Sequence, residues 1–400
     1  MLSGKHVLLG VTGSIAAYKI ASLASALKKL NAVVTVVMTK NATNFINPIT
    51  FETLTGQKCL VDTFDRNFDF SVEHVAVAKQ ADIALVAPAS ANVIGKLAHG
   101  IADDMLTTTL LACRCPVLIS PAMNTAMYEN RIVQDNLHRL QEFGMEVIEP
   151  ASGYLACGDV GAGKMPEPET LLTYIIHEIG FEKDLKGKKV MITAGPTREA
   201  IDPVRFISNH STGKMGYALA ENAAMRGAEV TLVSGPVTLP PPLHVDVVRV
   251  TSAADMMSAV QAQADSQDII ICCAAVADMR PKAVAAEKIK KADFSGQIVL
   301  EPTEDILAWL GKNRRDGQIL VGFSMETENL VANSKGKLER KNIDMIIANN
   351  VKVEGAGFGT DTNVVTMITK DAVKEFPLMS KSDVAGKIFD EIAPLQFLCP

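Results

Sequence analysis

The chain has 400 residues, 48% of them apolar, and a formal net charge of −6. That length exceeds one ordinary hydrophobic core and predicts two domains of about two hundred residues each. The negative balance excludes a protein that binds nucleic acid mainly by neutralising phosphates, and an aromatic content of 5% argues against a base-stacking single-strand binder. The cysteines show no repeated Cys-x-x-Cys pairs: Cys113 and Cys115 stand one residue apart, and Cys272 and Cys273 are adjacent. This pattern is neither a disulfide framework nor a zinc site and suits a reducing cytosol. The longest apolar run, Ile269 to Ala277, is about half of what a bilayer needs. No charged leader opens the chain, so a cytoplasmic protein is expected.

In chain order, Val7-Leu8-Leu9 reads as a short strand ending at the turn Gly10-Val11-Thr12-Gly13-Ser14. Ile20, Leu23, Leu27 and Leu30 recur at helical spacing, and Val33 to Val37 supplies the next strand. This βαβ unit predicts a parallel sheet. Ile83 to Val86 and Val117 to Ile119 are further strands, each running into a turn. Gly158 to Lys164 matches most of a P-loop, but Met165 stands where the Mg²⁺-binding hydroxyl belongs and no apolar strand precedes it. Pro166 and Pro168 are expected to forbid the helix that should follow, so the segment reads as a glycine-rich flap. The charged stretch Lys183 to Lys188 suits a boundary, dividing the chain into 1–182 and 183–400.

The pattern then returns. Val190 to Ile192 leads into Ala194-Gly195-Pro196, a long loop, an Ala-rich helix near Gly213 to Gly227 and the strand Val230 to Val233. Ile269 to Ile271, Leu320 to Val321 and Met345 to Ile347 follow as strands. Thr212-Gly213-Lys214 also fails as a P-loop, because Ser208 and Met215 occupy the Gly and Ser/Thr positions. Neither half has Gly-x-Gly-x-x-Gly after its first strand, which disfavours a nicotinamide-dependent oxidoreductase. Both halves read as doubly wound, Rossmann-like α/β domains with ligands at the carboxyl ends of the strands.

Gly13-Ser14 at the start of the first helix places backbone N–H groups where a phosphomonoester is favoured. Pro88-Ala89-Ser90-Ala91-Asn92 and Pro121-Ala122-Met123-Asn124-Thr125-Ala126-Met127 follow later strands. Together with Gly13-Ser14-Ile15-Ala16, these segments resemble the flavin-containing cysteine decarboxylases, specifically phosphopantothenoylcysteine decarboxylase; the family motif usually ends in Trp where this chain has Tyr128. The resemblance implies a flavodoxin-like domain in which Gly13, Ser14, Thr39, Ser90 and Asn92 contact FMN. It further implies His74 as the base, Asn124 as the holder of the substrate carboxylate and Cys157 as the final proton donor. Taken singly, a His, an Asn after a strand or a Cys is more often structural.

In the second half, Thr193 to Glu199, Asp202 to Asn209 and Ser211 to Gly216 follow the first strand. With Ala274-Ala275-Val276-Ala277-Asp278, Lys288 to Lys291, Gly322-Phe323, Lys337 to Asn342 and Phe358 to Asn363, they resemble phosphopantothenate–cysteine ligase, fused as in the bacterial bifunctional enzymes of coenzyme A biosynthesis. A carboxylate is a poor electrophile and needs conversion to a mixed anhydride, and lysines can neutralise a triphosphate and its departing pyrophosphate. The resemblance implies CTP with Mg²⁺, whose ligands the sequence leaves open, and an acyl-cytidylate. It assigns Ala274, Asp278, Lys288, Asp305, Phe323, Lys337 and Lys341 to CTP, and Asn209 and Lys288 to catalysis. Arg205 is a candidate for a substrate phosphate or carboxylate. On composition alone, both lysine clusters read as solvated surface.

The implied substrates are 4'-phosphopantothenate, L-cysteine and CTP, without nucleic acid or membrane, and the family geometry implies a homo-oligomer, a dodecamer of domain trimers and dimers. The competing class is a flavin-binding regulator of the phosphatase-inhibitor type on the same scaffold. Such regulators usually carry long acidic extensions or lack part of the catalytic set; this chain has no acidic tail and carries His74, Asn124 and Cys157.

Overall fold

The computed structural model describes residues 2–64, 73–154, 158, 160–291, 296–326, 330–350, 355, 357 and 359–395. Cys157 and Phe358 lie outside the described residues. The chain divides into two compact units, Met1–Glu182 and Lys183–Pro400.

In the first unit, β1 (His6–Val11), β2 (Val33–Met38), β3 (Ile83–Ala89), β4 (Val117–Pro121) and β5 (Glu146–Val147) form one sheet in the order β2-β1-β3-β4-β5. Every pairing is parallel. Helices cover both faces: α1 (Ala17–Lys29), α2 (Pro48–Thr55), α3 (Glu73–Gln80), α4 (Ala91–Ala98), α5 (Met105–Ala112), the single turn α6 (Thr125–Tyr128), α7 (Arg131–Glu142) and α8 (Pro168–Ile179). Because side chains alternate along a strand, Leu9, Val34 and Leu85 pack with Ile20, Leu23 and Ile175 on one face. Leu8, Val37 and Val86 pack with Ile94, Leu106 and Leu137 on the other.

One expectation gains detail here and one is corrected. The P-loop-like segment belongs to an antiparallel hairpin, Ala151–Tyr154 with Val160–Lys164. Pro168 does not forbid a helix but opens α8 at its first position, where a missing N–H costs nothing and the fixed φ suits the helix.

The second unit holds β6 (Lys189–Ala194), β7 (Glu229–Ser234), β8 (Val245–Arg249), β9 (Ile269–Cys272), β10 (Ile319–Glu326), β11 (Met345–Asn350), β12 (Val365–Thr369) and β13 (Val373–Glu375). Their order is β8-β7-β6-β9-β10-β11-β12-β13, parallel except for the last two pairings. The first six therefore follow the doubly wound dinucleotide-binding order. The helices are α9 (Lys214–Met225), α10 (Ala253–Gln263), α11 (Ile306–Asn313), α12 (Leu330–Arg340) and α13 (Lys381–Leu395). Ile192 and Ile271 pack with Leu219 and Phe389 on one face, and Met191 and Ile270 with Val260 and Leu310 on the other. The long loop after Pro196 contains an unforeseen hairpin, Arg198–Ala200 with Phe206–Ser208. Among the described residues, no helix is long and apolar enough to cross a membrane.

An aspartate at the entry of one strand recurrently caps the start of its neighbour. Asp82 accepts from His6 N at 2.7 Å, Asp268 from Lys189 N at 2.9 Å, and Asp344 from Leu320 N at 2.8 Å. Burial works against the Asp268 charge, but the Lys189 N–H and the Arg315 guanidinium at 2.8 Å outweigh it and hold the carboxyl below its usual range. A depressed pKa contributes stability above the unfolded value of about 3.9 that is lost as pH falls through the folded value. Asp268→Asn is therefore expected to destabilise the second unit by about 1 kcal/mol at neutral pH, or about 2–4 °C. The difference from wild type should begin to narrow below about pH 4 and close only as pH falls through the lower folded value. Thermal unfolding from pH 7 to pH 3 checks this, and a gap independent of pH would show that the carboxylate charge is not what anchors the strand.

Candidate functional site

In the first unit, strand order reverses between β1 and β3, which opens a crevice at their carboxyl ends. Thr12, directly after β1, bridges it: its hydroxyl donates to Pro88 O at 2.6 Å and accepts from Ser90 N at 2.9 Å. Gly13, Ser14, Thr39, Ser90 and Asn92 all follow the carboxyl ends of β1, β2 or β3. A Cβ at Gly13 would stand 2.9 Å from the Cβ of Asn41, so the turn lies tightly against the loop after β2.

A cavity of about 640 Å³ adjoins this turn, lined among others by Ser14, Tyr18, Lys19, Met123, Asn124 and Tyr154. Its walls are mostly apolar, and the start of α1 supplies the positive helix end, a combination that suits a flat aromatic ring with a phosphate tail. Asn124 caps α6 by accepting from Ala126 N at 2.8 Å. Gly163, from the hairpin, lies so close that a Cβ there would stand 2.4 Å from Met123 O. Lys19 donates to both Glu167 carboxylate oxygens at 2.8 Å, and this bond chiefly holds the Glu167 carboxyl below its usual range. His74, half-buried at the start of α3, does not line this cavity.

The second unit has a cavity of about 550 Å³ where β6 and β9 diverge. Ala274, Asp278, Asp305, Phe323, Lys337, Lys341 and Asn209 line it together. Asn209 donates to Ala275 O at 3.0 Å. Lys341 meets Asp305 at 2.8 Å. Burial pushes the Asp305 carboxyl up, yet Lys341 and the Ala308 N–H bring it below the usual range. Lys337 donates to Ser324 Oγ at 3.2 Å. Burial pushes the Cys272 thiol up to about 12, which leaves it inert as a nucleophile at neutral pH. Lys288 and Arg205 do not line the cavity. Arg205 instead pairs with Asp202, with Nε to Oδ2 at 3.0 Å.

Sequence reasoning missed Thr12, Lys214 and Lys381. Gly213, at φ +79°, caps α9, and Lys214 opens that helix at the cavity wall, so the pattern rejected as a P-loop still faces a ligand-sized space. Lys214 donates to Asp361 at 2.7 Å and to Gly359 O at 3.1 Å. Lys381, 6% exposed, donates to Gly357 O at 3.0 Å. Burial, reinforced by the like charge of Lys214, holds its ammonium below the ordinary lysine range. Nothing in the residues around Lys381 signals that role; only the packing of α13 brings it there.

Two parallel-sheet α/β units, each with a ligand-sized cavity beyond the carboxyl ends of its strands, define a two-domain protein of the mononucleotide- and dinucleotide-binding class. Residues 1–180 match the family model described as Flavoprotein, and residues 185–395 that described as DNA/pantothenate metabolism flavoprotein C-terminal domain. The chain is 51% identical over 399 residues to the coenzyme A biosynthesis bifunctional protein CoaBC of Bacillus subtilis (strain 168), covering 99% of this chain and 98% of that one. It is 47% identical over 356 residues to a cysteine/cysteine sulfinic acid decarboxylase from an unknown prokaryotic organism, covering 88% of this chain and 99% of that one. The crystal structure of the C-terminal domain of a CoaBC protein aligns with 54% of this chain and 98% of its own at 47% identity and a TM-score of 0.47. The chain belongs to the CoaBC family of bifunctional coenzyme A biosynthesis proteins. That membership favours an enzyme over a flavin-binding regulator.

Thr12→Val would leave Ser90 N without its acceptor and Pro88 O without its donor. The expected cost is about 2 kcal/mol in the first unit, with loss of bound yellow chromophore on purification. Absorbance near the flavin band together with thermal unfolding reads both, and full flavin occupancy would show that the bridge does not shape the crevice.

Proposed function

We propose that the second unit joins 4'-phosphopantothenate to L-cysteine at the expense of CTP, and that the first unit decarboxylates the product to 4'-phosphopantetheine. The observation that carries this reading is the convergence of Ala274, Asp278, Asp305, Phe323, Lys337 and Lys341 on one cavity with Asn209, in a chain aligned end to end with a CoaBC protein.

In the ligase unit, the substrate carboxylate attacks the α-phosphorus of CTP, giving an acyl-cytidylate and pyrophosphate. Lys337 and Lys341 offset the charge that gathers on the leaving pyrophosphate. Lys288 assists formation of the anhydride, and Asn209 orients it for attack by the cysteine amine, which expels CMP. Among the described residues, no group of three or more His, Cys, Asp or Glu side chains is placed to hold a metal ion. Mg²⁺ would arrive with the triphosphate, whose oxygens supply most of its ligands.

In the decarboxylase unit, FMN would occupy the first cavity and the strand ends beside it, with Ser14 on the cavity wall and Gly13, Thr39, Ser90 and Asn92, which do not line that cavity, reaching its phosphate and ring from the ends of β1, β2 and β3. Bound flavin would accept and return a hydride equivalent, so the net reaction is redox-neutral. His74 removes a proton from the cysteinyl end of the substrate, Asn124 holds the departing carboxylate through its amide, and Cys157 returns a proton once CO₂ has left. Since His74 lies outside the cavity of its own chain, a homo-oligomer in which a neighbour supplies it is part of the proposal, with a dodecamer as the expected assembly.

The deciding assay follows pyrophosphate, CMP and CO₂ together from phosphopantothenate, cysteine and CTP, with a one-to-one-to-one yield expected. Release of CO₂ from free cysteine without CTP would instead align the chain with the cysteine/cysteine sulfinic acid decarboxylase it resembles. Lys341→Gln is expected to raise the KM for CTP roughly 10–100-fold, the loss of one charge-assisted contact, and to leave decarboxylation of supplied phosphopantothenoylcysteine unchanged. An unaltered CTP requirement would remove Lys341 from the site.

A further inference from the structure

Lys288 sits in an exposed stretch, residues 282–291, that forms neither helix nor strand. Irregular exposed backbone holds a side chain only as well as its tie points do. Among the described residues, Lys282 N donates to Val299 O at 2.9 Å and Ala285 N to Ile201 O at 3.0 Å. The tie next to Lys288 is of another kind. Ile289 N donates to Asp202 Oδ2 at 3.2 Å, and Arg205 Nη2 donates to Ile289 O at 2.7 Å. Both backbone polar groups of Ile289 are thus gripped by one ion pair.

The carboxylate of that pair is costly. Its side chain is fully buried, whereas that of Arg205 is 45% exposed. Burying a charge is tolerated only when its lone pairs are filled, and here they are. Oδ1 accepts from Val204 N at 2.8 Å and Arg205 N at 2.9 Å, and Oδ2 accepts from Arg205 and Ile289 N. The bonds to Oδ1 alone would make an ordinary Asx turn at the tip of the hairpin, and a neutral Asn could serve there. The bonds to Ile289 are superfluous for a turn. Just past the other end of the same hairpin, four residues or about 13 Å after Arg205, Asn209 lines the nucleotide cavity. One rigid hairpin therefore carries Asn209 into the cavity and clamps the backbone beside Lys288.

We infer that Asp202 is a positioning residue for Lys288, acting through Arg205 and the Ile289 peptide to set the lysine for acyl-nucleotide formation. The inference rests on the role given to Lys288 above. Arg205 then belongs to the clamp rather than to a substrate phosphate.

The test uses the full flavin-loaded chain and follows single-turnover pyrophosphate release from phosphopantothenate and CTP in the absence of cysteine. Asp202→Asn is expected to slow this step about 10–100-fold, the scale of a misplaced reacting group, with the KM for CTP changed less than about threefold. In a double-mutant cycle, Asp202→Asn should add no further loss to Lys288→Gln. Multiplying losses, or a normal rate in Asp202→Asn, would overturn the inference while leaving the function of Lys288 intact. A normal rate in Lys288→Gln alone would instead remove the role assigned to that lysine, and this inference with it. Should Asp202→Asn fail to fold, Arg205→Lys keeps the charge and the turn but loses the Nη2 bond to Ile289 O. It should show the same slow step in a chain that still folds, with the melting temperature lowered by the weakened pair to Asp202. A raised KM for phosphopantothenate at an unchanged rate would return Arg205 to substrate binding and refute the clamp.

Discussion

The reversal of strand order beside the first strand of each unit is the constraint on which the rest depends. Parallel strands need crossover helices, and right-handed crossovers to the left and to the right of one strand place their helices on opposite faces of the sheet. The carboxyl ends at that place are left uncovered, with loop N–H groups and a helix start facing the gap. In the first unit the gap falls between β1 and β3 and is bridged by Thr12. In the second it falls between β6 and β9 and is faced by Gly213 at the start of α9. Two different chemistries thus share one architectural opportunity, and each unit fills it with side chains of its own.

Charge is handled differently in the two gaps. The flavin-sized cavity is largely apolar, and its cations Lys19 and Lys164 both pair with Glu167. The nucleotide-sized cavity gathers Lys214, Lys337, Lys341 and Lys381, with Asp305 and Asp361 offsetting part of that charge. A set of cations converging on one partly enclosed space is unfavourable until an anion enters it, because like charges repel more strongly where water is excluded. The depressed ammonium of Lys381 is the local expression of that repulsion and of its burial. In the ligation proposed above, a triphosphate would offset that repulsion.

The loop between β6 and α9 does more than connect. Its hairpin supplies Asn209 to the cavity and Asp202 to the neighbouring irregular segment, so one element sets the geometry of two groups far apart in sequence. A buried carboxylate with all its acceptors used is a stiff anchor, since breaking any bond leaves charge uncompensated in a poorly solvated place.

Period and punctuation were enough to mark the central strands of each sheet and the turns after them, but not β5, β8, β12 and β13 or the hairpin after Pro196. Alternating apolar residues and a Gly-bearing turn report local backbone physics that does not depend on distant contacts. Ser14 and Asn124 stand three residues beyond a strand, where an α/β sheet exposes its loops, but the roles expected of Asn124 and Asp278 came from the family resemblance and not from that position. What only the tertiary structure decided are the relations between segments distant in sequence. Lys381 reaches the cavity through the packing of α13, Arg205 is claimed by a carboxylate three residues away, and Lys288 is held by a hairpin more than eighty residues earlier. His74 shares a chain with Asn124 but not a cavity. Side-chain pairing depends on which surfaces folding brings together, and a linear pattern carries no record of that until the helices have been laid on the sheet.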